Sequence, residues 1–208
     1  MPSIELEDTF RKEIGVSFVA GVDEAGRGAI AGPVVAAAVI LPLDQPEQLG
    51  ILVDVDDSKK LTALKRDTLY KLIMDVALSH GIGSVGPENI DAIGIIPANA
   101  AAMRIAISQL QPEAQGLIID GRMRLKNVPI HQKSIIHGDR LSLSIAAASI
   151  MAKVSRDKHM IALDDKYPGY GFSSHKGYCT PQHVGALLQI GPCEVHRRTF
   201  RPLRQPLL

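Results

Sequence analysis

The 208-residue chain predicts an α/β fold, with short apolar strands alternating with helices along its length. Three observations carry this. Residues 34–41, VVAAAVIL, are apolar throughout, as a strand buried on both faces requires. Helical spacing recurs between strand-like runs, at 64–76 and again at 143–154. Three apolar runs also each lead into an acid beside a glycine, a recurring way to end a strand at a site.

In chain order, residues 16–22 (VSFVAGV) read as a first strand, followed by Asp23-Glu24-Ala25-Gly26-Arg27-Gly28 as a turn or strand end. Residues 34–41 form the second strand. Leu64, Leu69, Leu72, Ile73 and Val76 share one helical face, with Thr62 as N-cap and Gly81 as the stop. A short strand follows over 82–85. Pro97 opens a helix running through residues 100–110. Residues 116–120 (GLIID) and 130–136 read as further strands. Residues 143–154 read as a buried helix whose small residues allow close approach. A loop rich in Gly and Tyr over 167–178 leads to a last helix over 181–189, and the terminal HRRTFRPLRQPLL reads as irregular.

Hydrophobic residues make up 46% of the chain and charged residues 22%, the balance of a soluble globular protein. Cys179 and Cys193 form no CxxC pair, which argues against a zinc site or disulfide framework and for a reducing compartment. The N-terminus lacks a signal-peptide pattern, and the apolar stretch at 33–43 is too short to span a bilayer. A cytoplasmic protein without membrane attachment is expected. Net charge is +1 but unevenly spread. Residues 1–120 carry 17 Asp and Glu against 9 Lys and Arg, and residues 121–208 carry 5 against 14. An acidic part suits a cation and a basic part suits a polyanion, although two solvated faces would look the same.

Gly81 to Gly86 (GIGSVG) matches GxGxxG, but a helix precedes it, Pro87 follows it, and the required downstream acid is missing, so a dinucleotide site is not predicted. There is no P-loop and no GxSxG elbow. The acids are more informative. Asp23 and Glu24 follow one apolar strand, Asp120 closes another, and Asp139 follows a third through His137-Gly138. Neighbours in a strand point to opposite faces, so Asp23 and Glu24 can share a site only if the strand ends there. Converging carboxylates repel unless a divalent cation sits among them, and oxygen-only ligands suit Mg²⁺ or Mn²⁺. Paired ions about 3.5–4 Å apart serve phosphodiester cleavage. For a single Asp beside Gly, a turn or cap is the ordinary account.

The segment GVDEAGRG at 21–28 resembles the N-terminal signature of type 2 ribonucleases H, the ribonuclease HII family. So do Asp57-Ser58-Lys59-Lys60-Leu61, Ile119-Asp120-Gly121, AAASIMAKVSRD at 146–157, Tyr170-Gly171-Phe172, His175-Lys176-Gly177-Tyr178 and His196-Arg197-Arg198-Thr199-Phe200, in the family's order over about residues 16–200. The resemblance implies a ribonuclease H-like mixed β-sheet flanked by helices, as one domain over 1–208 with a core at about 16–165 and a C-terminal helical extension at about 166–208. It implies a metal-dependent endoribonuclease acting with Mg²⁺ or Mn²⁺. The implied substrates are RNA–DNA hybrids and duplex DNA with an embedded ribonucleotide, and the implied products end in 3′-hydroxyl and 5′-phosphate. A monomer is expected. The implied catalytic acids and metal ligands are Asp23, Glu24, Asp120 and Asp139. Histidine at 137 replaces the family's usual lysine, and Asp157 is the rival fourth acid, although an intrahelical contact would also account for it. The implied substrate contacts are Gly26, Arg27 and Gly28 at the ribose 2′-hydroxyl and phosphate, Tyr178 on a sugar at the junction with DNA, and Lys59 and Lys60 on phosphate, where ordinary surface lysines remain the alternative. Two other classes stay open. One is a non-catalytic module that binds hybrid duplexes. The other is a type 1 ribonuclease H or a resolvase, which would need other acid spacings.

Overall fold

The computed structural model describes residues 1–56, 58 and 61–204; Asp57, Lys59 and Lys60 lie outside the described residues. A five-stranded sheet forms the centre, built from β1 (Val19–Ala25), β2 (Val34–Ile40), β3 (Ser79–Val85), β4 (Gly116–Asp120) and β5 (His131–Ile135). The order is β3-β2-β1-β4-β5, antiparallel on the β3 side and parallel from β1 to β5. β2 has every residue buried, as its unbroken apolar sequence requires.

Helices cover both faces. On one, α5 (Ile95–Ile107) packs Ala98, Ala102, Met103 and Ala106 against Val22, Ala36 and Ile119. On the other, α3 (Ala63–Val76) and α6 (Leu143–Lys166) pack against Ala37 and Val39. Thr62 caps α3 by accepting from the Lys65 N–H at 3.3 Å, as expected from sequence. α1 (Glu5–Ile14) closes the bottom of the sheet, with Phe10 against Val19, Ile118 and Ile145. Its buried Glu7 accepts from Ser142 Oγ at 2.7 Å and from the Ser144 N–H at 2.8 Å, so an N-terminal carboxylate stabilises the first turn of α6. Burial holds the Glu7 pKa above the ordinary value. α2 (Pro46–Gly50) and α4 (Pro87–Ile93) are short connectors. Beyond α6, α7 (Phe172–His175) and α8 (Pro181–Ile190) surround Met160, Tyr170 and Phe172 and form the C-terminal helices.

Several expectations need correction. β1 continues through Asp23 and Glu24 to Ala25 instead of ending before the acids. Gly81 does not stop α3; the helix ends at Val76, Ala77 is extended, and Gly81 lies inside β3. A Cβ on Gly81 would lie 2.1 Å from the Ala106 carbonyl oxygen, and one on Gly83 would lie 2.0 Å from that of Ala102. The glycines of the GxGxxG match therefore let the α5 backbone descend onto β3. α5 begins at Ile95, before Pro97. α6 runs twelve residues past the expected end, to Lys166, because Arg156 and Met160 remain buried beyond the small-residue segment. The 167–178 loop contains α7. Among the described residues, no helix is long and apolar enough to cross a membrane.

Candidate active site

The parallel pairing of β1 with β4 reaches Val22 and Ile119, so Asp23 and Asp120 follow the last paired residues side by side, while β1 continues against β2 through Ala25. The overhang leaves one edge of β1 open at the acids. Asp23 pairs with Ala37, which packs toward α6, and Glu24 pairs with Ala36, which packs toward α5. The two acids thus point to opposite faces of a regular strand and still border one cleft of about 630 Å³, which Asp120, Gly26, Arg27, Gly28 and Tyr178 also line. Convergence comes from the missing neighbour strand, not from a strand end.

Asp23 is 5% exposed. Burial raises its pKa well above the ordinary value, with Glu24 and Asp120 adding to the rise and Ser149 of α6 opposing it. Its Oδ1 accepts the Glu24 N–H at 2.7 Å. Ser149 Oγ in turn lies 3.0 Å from Ser58 Oγ. Burial also raises the Glu24 pKa, opposed by Asn99 and Arg27, whose Nη1 is 3.5 Å from Glu24 Oε1. Asp120 is raised by burial and by Asp139, although its Oδ1 accepts the Gly138 N–H at 2.7 Å. Asp139 is buried in a 3-10 turn (Gly138–Arg140) next to Asp120, but does not line the 630 Å³ cleft. Asp157 forms an i,i+4 ion pair with Lys153 at 2.8 Å on α6.

Among the described residues, no three His, Cys, Asp or Glu side chains are already gathered into a cation cage. The donor chemistry nevertheless fits a hard divalent cation: the acids offer only oxygens, and each holds its proton more tightly because burial disfavours its charged form, with a neighbouring acid adding to the rise.

Two buried arginines shape the loop between β1 and β2. Arg156 of α6 donates through Nε to the Pro33 carbonyl at 2.9 Å and through Nη2 to that of Ala31 at 3.2 Å. Arg197 donates through Nε to the Gly32 carbonyl at 2.9 Å and through Nη1 to that of Arg27 at 3.1 Å. Burial, with Arg156 nearby, pushes the Arg197 pKa down to about 9, so it remains charged at neutral pH. The Gly177 carbonyl accepts from Ile30 at 2.9 Å, tying the Tyr178 loop to the same segment. Tyr178 is 37% exposed, with Lys153 Nζ 5.9 Å and Arg156 Cζ 5.3 Å from its ring centroid. Beneath it, His183 Nδ1 meets the Tyr178 carbonyl at 2.9 Å, and His183 and His196 join ring to ring at 3.0 Å. Burial lowers the pKa of both to about 4, so both rings are neutral at pH 7.

Sequence reasoning does not mark Ser149, Lys153 or Arg156 individually, and Arg197 enters it only within the basic His196–Phe200 segment, although the fold buries that side chain. Ser149 and Lys153 were within reach of sequence spacing, since they stand four apart on a helix face that meets the cleft. A buried arginine has no comparable signature.

This sheet also occurs in ribonuclease H2 from Pyrococcus horikoshii OT3, which matches at TM-score 0.77 and 28% identity over 90% of this chain and 96% of that one. At 18% identity the fold is also that of Bst-RNase HIII in complex with Mn²⁺, with TM-score 0.66 over 90% of this chain and 68% of that one. Fold and carboxylate cleft together define a metal-dependent nuclease of the ribonuclease H class. A family model described as Ribonuclease HII matches residues 20–203. A Ribonuclease HII from Chloroflexus aggregans is 48% identical over 206 residues, covering 99% of this chain and 96% of the relative. The chain belongs to the ribonuclease HII family.

Proposed function

We propose that this enzyme cuts the RNA strand of RNA–DNA hybrids, and single ribonucleotides embedded in duplex DNA, on the 5′ side of a ribonucleotide, leaving 3′-hydroxyl and 5′-phosphate ends. The supporting observation is the shared cleft, which joins Asp23, Glu24 and Asp120 to Gly26–Arg27–Gly28 and Tyr178. Asp23, Glu24 and Asp120, with Asp139 beside Asp120, would hold a pair of divalent ions, Mg²⁺ or Mn²⁺. Such ions would supply Lewis acidity to activate the attacking water and to offset charge on the departing oxygen. The Gly28 backbone, beside which no atom lies within 4 Å of a notional Cβ, leaves room for a ribose edge. Arg27, half exposed at the cleft, meets phosphate through its guanidinium. Tyr178 presents its ring to the sugar on the DNA side of the junction. Lys153, close to that ring, adds positive charge along the strand.

The test is cleavage of a duplex carrying one ribonucleotide beside the same duplex in pure DNA, with and without EDTA. Cutting of the first alone, abolished by EDTA, is expected. Equal cutting of both, or binding of the hybrid without cutting in Mg²⁺ and in Mn²⁺, would end this reading, the latter in favour of a non-catalytic binding module.

A further inference from the structure

The carboxylate cleft has a second chamber. On the α5 side of the sheet, Glu24, Arg27 and Asp120 also border a recess of about 380 Å³, whose outer wall carries Arg122 and Arg124 and whose inner wall carries Asn99. A strand crossing the acids from Tyr178 leads directly into it, because the two chambers share those three residues.

Two independent features mark the recess as built for a ligand. Asn99 is 0% exposed, yet neither its amide nitrogen nor its oxygen meets hydrogen-bond geometry with any group. An orphaned buried amide costs about 1–3 kcal/mol. Its contact with the Glu24 carboxyl opposes the rise in that acid's pKa and sets the amide at the wall the two chambers share. Arg122 and Arg124 follow β4 two residues apart and are exposed; among the described residues, neither forms an ion pair or side-chain hydrogen bond. Gly121 between them and Asp120 holds φ +83° with open space beside it, so a ligand can approach its backbone.

We propose that this recess binds a backbone phosphate of the cleaved strand on the upstream side of the cut, away from Tyr178. Arg122 and Arg124 grip the anion at the outer wall, and the Asn99 amide donates at the inner end. Guanidinium forks match phosphate oxygens in pairs, which makes three arginines around one recess a phosphate site rather than a general basic surface. The charges of Glu24 and Asp120 disfavour an anion at the shared wall and set it outward, over Arg122 and Arg124. The assignment rests on the proposed function, which supplies the direction of the strand.

The experiment compares the native protein with Arg122→Gln, Arg124→Gln and the double variant on single-ribonucleotide duplexes. The KM of the double variant should rise about tenfold while kcat falls far less. The slope of log affinity against log salt, measured by anisotropy in EDTA, should shrink by about 1, one phosphate contact. A duplex shortened upstream of the cut should erase the difference between variant and native protein, and one shortened downstream should preserve it. Asn99→Leu should raise KM with a smaller change in kcat, because it removes the donor at the inner end. Unchanged KM and salt slope in the double variant, or equal effects of both truncations, would overturn the subsite. Native protein that ignores the ribonucleotide would instead overturn the function on which the subsite rests.

Discussion

Arg156 occupies the space a side chain on residue 26 would need: a Cβ on Gly26 would lie 1.8 Å from Arg156 Nε, and Gly26 holds φ +83°. Arg156 cannot retreat, because its guanidinium is anchored to the Pro33 and Ala31 carbonyls. Gly28 has neither constraint. Gly26→Ala should therefore destabilise the protein by about 2–4 kcal/mol, combining overpacking with left-handed strain. Gly28→Ala should stay within about 0.5 kcal/mol of native stability while losing cleavage of ribonucleotide duplexes. Urea melts and activity assays on both variants check this, and equal destabilisation would refute the division between them.

Asp23 gives a pH prediction with a definite sign. Its folded pKa lies above the 3.8 of the unfolded chain, so ionisation costs stability in the metal-free protein. The cost is full above the folded pKa and disappears as pH falls toward 3.8. In EDTA at pH 8, Asp23→Asn should melt a few degrees higher than the native protein, the size of a gain of about 1–2 kcal/mol in a chain of this length. The gap should narrow on acidification, and cleavage in Mg²⁺ should be lost. A variant that melts lower at pH 8 and higher at pH 4 would contradict the sign.

Gly83 tests the packing account of the GxGxxG match. A Cβ there would meet the Ala102 carbonyl oxygen at 2.0 Å and the Ala106 nitrogen at 2.8 Å, both backbone atoms of α5. Gly83→Ala should cost about 1–3 kcal/mol by forcing the helix away from β3. Calorimetry should show no stabilisation of native protein by NAD or ATP. A rise in melting temperature with either nucleotide would reopen the site.

β2, β4 and the cap of α3 were legible in the sequence because each has a local cause: an unbroken apolar run, GLIID ending at an acid, and Thr62 three residues before Lys65. That the acids at 23, 24 and 120 come together was legible in the sequence, but their means of convergence was not. The overhang of β1 past β4 depends on which strands become neighbours, a long-range property that no local pattern encodes. β3 starts three residues before the expected 82 because Gly81, tolerated in a strand only where another backbone approaches closely, looks like a helix stop in isolation. α6 was read too short because its second half carries Arg156, which sequence statistics place on a surface and the fold places at 0% exposure. α1 was not read as a helix at all, since its buried residues are only Glu7 and Phe10.

Glu7 and Ser142 meet across a sequence separation of 135. The ribosome releases the first long before the second exists, so during synthesis the opening helix waits without its partner. The helix bearing Ser149 and Lys153 is capped by Ser142 itself and then gains a second acceptor for its first turn from a segment made much earlier. Deleting the first fifteen residues would thus act at a distance, loosening the floor of the cleft without removing any group that lines it.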